Sequence, residues 1–229
     1  MLLRNYLTVG LRALGKNKTY AFINILGLAI GMAACLMILL YVRYERSFDQ
    51  WLPNAENVYQ LQTLYRDQQT GEEQNLTMAS IAAGRALKKD FPQIERMVYA
   101  TSGGFTVLRK GQAIAVDKGS MVDGPFFDVL QFPLVQGDSA SALRNVGSVA
   151  LSQSEARRLY GAENPLGQTL TVILRGKPVD HRVTAVFQDL PKNSHMIFNM
   201  LLRYDPVTYN AEQPDALTAW GWQSGWHYA

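Results

Sequence analysis

From Thr19 to Val42 the chain carries twenty-four consecutive residues without a charged side chain, and basic residues flank the run on both sides. At about 1.5 Å per residue, a helix of that length reaches roughly 36 Å, more than the bilayer hydrocarbon core of about 30 Å. A buried helix of a water-soluble domain seldom needs apolar residues on every face. Asn24 is the one strongly polar side chain inside, near the entry end, where the interface or a neighbouring helix satisfies it. The rival reading is a cleaved export signal, because Met32-Ala33-Ala34-Cys35 loosely resembles a lipoprotein cleavage box. Against it, eighteen residues precede the run, and Leu36 to Val42 continue it past the cysteine, so cleavage would leave an apolar stub. The run reads as a retained transmembrane helix, residues 19–42.

Within it, Gly27 and Gly31 stand four apart, with Ala34 and Cys35 close by. Such a face lets a second helix approach closely in lipid, although glycine and alanine are also simply common in membrane helices. Arg4, Arg12, Lys16 and Lys18 precede the span, against Arg43 and Arg46 just after it, which favours a cytoplasmic N-terminus. Residues 1–18 place Leu3, Tyr6, Leu7, Gly10, Leu11 and Leu14 on one side at helical spacing, an amphipathic helix suited to the cytoplasmic interface. Residues 43–229 then lie outside the cytoplasmic membrane. They are enough for one or two compact domains. The net charge is only +3 and no basic stripe with interleaved aromatics occurs, which excludes nucleic acid as an expected partner. The single cysteine, Cys35, sits in the span, so the outer segment folds without an intrachain disulfide.

The outer segment alternates strands and helices, a mixed α/β (α+β) domain with β-α-β units. Strands are expected over 57–65, in "ERMVYAT", and on both sides of a turn at Lys110 and Gly111. A helix is expected over 78–92, ending before Pro92, and a short one begun by Asp123 with Pro125 in its first turn. "SVALSQSEARRLYG" reads as a strand and a helix, with Ser152 as N-cap, Glu155 as its capping-box partner and Gly161 as the stop. "GQTLTVI", "DHRVTAVFQDL" and "MIFNMLLRY" read as closing strands.

Chemistry is sparse. His181, His195 and His227 lie in separate segments without metal-ligand spacing, and Glu72 and Glu73 suit a solvated turn better than an acid/base pair. Ser102-Gly103-Gly104 lacks the lysine of a phosphate loop, and there is no GxSxG elbow. Trp220, Trp222 and Trp226 suit aromatic packing under a loop, with a binding platform as the alternative. No catalytic, cofactor-binding or metal residue is assigned; the site residues are the helix-packing pair Gly27 and Gly31.

"FINILGLAIGMAACLMILLYVRYERSFDQW", followed by "NVYQL", resembles the first span and first periplasmic strand of MacB-like (macrolide-exporter-type, FtsX-like) ABC transporter permeases. "VDGPFFDVLQFPLVQGD", "VALSQSEARRLYGAENPLGQTLTV" and "VTAVFQDLPKNSHMIFNMLL" follow in the order of that family's periplasmic core domain. The resemblance implies a permease subunit of the bacterial inner membrane that couples ATP hydrolysis by a separate cytoplasmic ATPase to movement of the periplasmic domain. ATP and magnesium would then bind the ATPase, with no cofactor in this chain and no enzyme activity of its own. Implied partners are that ATPase, a second permease copy or half, a periplasmic adaptor with an outer-membrane channel, and the bilayer. Family members carry further spans, so the chain is expected to be an N-terminal part with an incomplete sheet. The alternative is a single-span sensor or scaffold without transport.

Overall fold

The computed structural model describes residues 6, 8–10, 12 and 15–229, which divide into two compact units at Phe48/Asp49. The first unit is dominated by helix α1, Lys18–Glu45, twenty-eight residues with no buried side chain. Among the described residues it is the one helix long and apolar enough to cross a membrane. Its bare Ile30, Leu36, Leu40 and Tyr41 would be costly in water and are at home in lipid. Of the expected amphipathic helix, Leu3, Leu7, Leu11 and Leu14 lie outside the described residues.

The second unit is a mixed α/β domain. In chain order it contains β1 (Thr63–Arg66), β2 (Glu73–Leu76), α2 (Ile81–Asp90), β3 (Val98–Ala100), β4 (Gly103–Arg109) and β5 (Gln112–Asp123). Then come α3 (Phe126–Val129), β6 (Leu134–Gly137), β7 (Ser148–Ser152), α4 (Gln153–Tyr160), β8 (Thr169–Leu174) and β9 (Lys177–Phe187). The domain ends with β10 (Met200–Arg203), α5 (Pro206–Tyr209) and β11 (Trp226–Tyr228). Strands β1 and β2 pair only with each other, as a separate two-stranded ribbon. The other nine form one sheet, whose ladder runs from β5 through β4, β8, β9, β7 and β10 and returns to β5. A closed ring of six strands removes their open edges.

Two hairpins supply four of the six strands of that ring. Lys110-Gly111 joins β4 to β5 and Arg175-Gly176 joins β8 to β9, each with φ positive at both residues (50° and 76°, 49° and 76°). This is the primed two-residue turn whose twist matches that of paired strands. Inside, Phe105, Val107, Val116, Leu170, Val172, Met200 and Leu202 form one buried cluster, which Leu159 and Tyr160 of α4 complete. The phenyl ring of Phe105 lies over Gly119, where any Cβ would collide with it. A second cluster on the opposite face joins Ala150, Ala185, Phe187 and Leu201 to Phe126, Leu130, Phe132 and Phe198. Strands β7 and β10 are thus buried on both faces. On β9 the alternation slips by one: Val149 pairs with Val183 but Ala150 with Ala185. A bulge at Thr184 turns the following residues to the other face, as a one-residue shift must.

The last strand, β11, stands at the end of the sheet's strand order, beyond β3. β11 pairs antiparallel with β3, while on its other side Tyr59 and Ala229 exchange backbone hydrogen bonds at 2.8 and 2.9 Å and the Leu61 N–H donates to the His227 carbonyl at 3.0 Å. Both sides of β11 are therefore engaged. The same pairing corrects the strand expected over 57–65. Residues 59–61 follow β11, and the chain then leaves to begin β1 at Thr63, after a 3-10 turn at Ala55–Asn57. Strand β2, where a turn alone was read, completes that ribbon.

Helix α4 starts as expected, with the Ser152 hydroxyl accepting the Glu155 N–H at 3.3 Å, and stops at Gly161 with φ 63°. The reciprocal half of the capping box is absent. The Ser152 N–H already donates to the Asn199 carbonyl at 2.8 Å, and the Glu155 carboxylate pairs with Arg158. The short helix α3 begins at Phe126 with Pro125 as its cap, since Asp123 still belongs to β5 and accepts from Arg203 at 2.5 Å. Replacing Ser152 by Ala removes its hydrogen bond to the Glu155 N–H, while the Ser154 N–H keeps its bond to the Asp189 carboxylate at 2.9 Å, and is expected to lower the unfolding free energy by about 1 kcal/mol, measured by urea denaturation.

Candidate functional site

Three places in the described residues could carry function: the membrane helix, the point where the chain enters the domain, and a cleft beside α2. On α1, Gly27 and Gly31 have open space where a Cβ would stand, and Cys35 is exposed on the same helix. Among the described residues nothing lies within 4 Å of a Cβ placed at either glycine.

Asp49 is the first residue of the domain and adopts the left-handed region at φ 56°, which aspartate tolerates better than most residues. Its carboxylate accepts from the Ser194 hydroxyl at 2.9 Å, the His195 N–H at 3.0 Å and the His195 Nδ1 at 2.8 Å. Its own N–H donates to the Asn193 carbonyl at 3.0 Å. The chain entering the domain is thereby tied to the Asn193–His195 loop, which runs on through the core residues Met196 and Phe198 into β10. Sequence reasoning placed a loop here but missed its partner, 145 residues upstream. In this cluster serine and histidine both bond to the aspartate, so it holds a loop and does not make a nucleophile.

The cleft, of about 420 Å³, lies between α2 and the strands β3 and β11. Its wall includes Ile81, Met97, Tyr99 and Pro125, and its rim carries Arg85, Lys88 and Lys89. Positions 81, 84, 85, 88 and 89 share one side of α2 by helical spacing. Ser80 caps that helix through the Ala83 N–H at 3.1 Å, and the Ser80 carbonyl accepts from His227 Nε2 at 2.9 Å. The imidazole is 3% exposed, packs on Tyr99 with ring centroids 4.8 Å apart, and occupies the space a side chain at Gly84 would need. Burial pushes its pKa below the ordinary histidine range, and the same holds for His181, whose Nδ1 meets the Val179 carbonyl at 3.1 Å. His227 adds no charge to the cleft at neutral pH.

His195 bonds to Asp49, His181 to the Val179 carbonyl and His227 to the Ser80 carbonyl, and no group of three or more metal-ligating side chains occurs among the described residues. Glu73 pairs with Arg66 across the β1–β2 ribbon, a solvated contact. Trp220 and Trp222 are 65% and 48% exposed, so the expected packing under a loop is not what they do. Trp226 alone of the three joins a strand.

Two outcomes test this account of the cleft. Gly84→Ala forces the buried imidazole of His227 to move and is expected to destabilise the domain by about 1–3 kcal/mol. Because the folded pKa values of His181 and His227 are depressed, the unfolded chain takes up protons first as pH falls. The stability they support is full above about pH 6.5 and declines below it, by at most about 1.4 kcal/mol per pH unit for each histidine. Urea midpoints measured at pH 7.5 and 5.5 check the sign.

Residues 21–218 match the family model described as the MacB-like periplasmic core domain. Among solved structures, the chain resembles a domain of a protein described as a permease from Porphyromonas gingivalis, at 24% identity and a TM-score of 0.54, over 67% of this chain and 69% of that one. It is also similar to the periplasmic region of MacB from Actinobacillus actinomycetemcomitans, at 20% identity and a TM-score of 0.43, covering 75% and 73% of the two chains. The extracellular domain of the noncanonic ABC-type transporter YknZ from Gram-positive bacteria matches at 13% identity and a TM-score of 0.42, covering 74% and 82%. No curated relative matches the sequence. With the family model spanning most of α1 and nearly all of the α/β domain, the chain belongs to the MacB-like periplasmic core domain family of ABC transporter permeases.

Proposed function

We propose that this chain is the anchored, periplasmic part of a permease subunit that transmits motion. A cytoplasmic ATPase, which holds the ATP and magnesium, drives movement of α1, and the outer domain responds. The observation that carries this reading is the family match, which runs without a break from the apolar helix into the folded domain. The Asp49 cluster supports it, because displacement of the chain at the domain's first residue is passed by three hydrogen bonds to the loop leading into β10. In this reading the N-terminus is cytoplasmic, residues 43–229 are periplasmic, and a periplasmic adaptor with an outer-membrane channel receives the cargo. Gly27 and Gly31 form the face on which a second permease copy packs in the membrane.

Reporter fusions after Leu61 test the orientation: a periplasmic enzyme is expected to be active and a cytoplasmic one silent, and the reverse would sink the topology. Oxidative cross-linking of membranes through the native Cys35 tests the packing face. A dimer band is expected in the unaltered chain and its loss in Gly27→Leu/Gly31→Leu. Affinity capture of the tagged chain from its native membrane is expected to retain a subunit bearing a phosphate-binding GxxxxGK[ST] loop, identified by mass spectrometry. If that subunit is absent while the chain remains in the membrane, the coupling reading fails. Asp49→Ala is expected to destabilise the domain by about 1–3 kcal/mol, read from urea unfolding.

A further inference from the structure

The cleft beside α2 combines three properties. Its volume, about 420 Å³, falls within the range of about 300–1,000 Å³ typical of small-molecule sites. Its wall is apolar, made by Met97, Tyr99 and Pro125. Its rim gathers Arg85, Lys88 and Lys89 at i, i+3 and i+4 on one helix face, and all three are exposed with no ion pair among the described residues. Like charges at those spacings weaken a helix slightly. The dipole at the C-terminal end of α2 favours cations at 88 and 89, but Arg85 stands a turn earlier. The acid nearest in the lining, Asp123, is already held by Arg203.

We infer that this cleft binds a small anionic amphiphile: one apolar chain or ring against Met97 and Tyr99, with a carboxylate or phosphate head held by Arg85, Lys88 and Lys89. An apolar wall alone would accept neutral molecules equally, and a cationic rim alone would hold free anions. Their adjacency selects a molecule carrying both. The inference does not depend on an ATPase or on the direction of transport.

The test uses the full chain in phosphatidylcholine nanodiscs with its methionine methyl groups labelled with carbon-13. The Met97 signal is assigned by its loss in Met97→Leu. Octyl phosphate and octanoate are expected to shift that signal saturably while the ring-core Met200 signal stays in place. Octyl glucoside, which has the same tail and an uncharged head, and inorganic phosphate, the head without a tail, are each expected to bind at least about tenfold more weakly. Replacing the rim cations together (Arg85→Gln, Lys88→Gln, Lys89→Gln) is expected to weaken octyl phosphate binding about tenfold or more; the three are exposed, so the fold is retained. Three results each overturn the inference: a Met97 signal that does not move, equal binding of octyl glucoside, or unchanged binding in the triple variant. Discs containing phosphatidylglycerol separate the sources of the ligand. Competition identifies a bilayer lipid as the occupant and its absence a soluble amphiphile, and either outcome retains the anionic class.

Discussion

Strand β10 is only four residues long, yet it pairs in parallel with β5 on one side and antiparallel with β7 on the other. That double pairing closes the six-strand ring and lets both cores share one wall. Met200 and Leu202 belong to the ring interior, whereas Leu201 belongs to the phenylalanine-rich cluster outside it. Three of the four side chains of β10 are apolar and fully buried, and each backbone group of such a strand needs a partner because water is excluded. Two neighbouring ladders meet that need. The Asn193–His195 loop that leads into β10 is fixed in turn by Asp49, so the entry to the domain and the closure of its sheet are linked.

The parts of the fold that were legible in the sequence are those in which signal and partner lie close together. The turn at Lys110-Gly111 is flanked by the strands it joins, and Ser152 caps a helix three residues away. Pro165 and Gly167 form a turn sealed by a 3.0 Å hydrogen bond from the Gln168 N–H to the Pro165 carbonyl. Errors arise where the partner is remote. Residues 59–61 look like the start of one long strand, but their pairing is decided by 227–229, and the break before Thr63 leaves no mark in local periodicity. Glu155 has the spacing of a capping-box residue. Its intended donor is taken by Asn199, which no window around the helix contains.

Function was legible through the order of segments more than through any site. The cleft shows why: its wall draws on residues near 81–89, 97–99, 123–125, 206 and 227, brought together by the pairing of β11 with β3. Read along the chain, Lys88 and Lys89 are an unremarkable basic end of a helix, and His227 is a lone imidazole. Only the packing shows that His227 spaces α2 from the sheet through Gly84 and leaves the cationic side of the helix facing an apolar hollow.

The late place of β11 in the chain also sets a timetable for the domain's assembly. Tyr99 waits for His227, which is made 128 residues later. At a synthesis rate of about 5–20 residues per second, the wait is roughly 6–26 s. Throughout it the edge of β3 and residues 59–61 have no strand to join. A chain of this design emerges open, and a holding factor that covers an exposed strand edge would find its substrate in that interval.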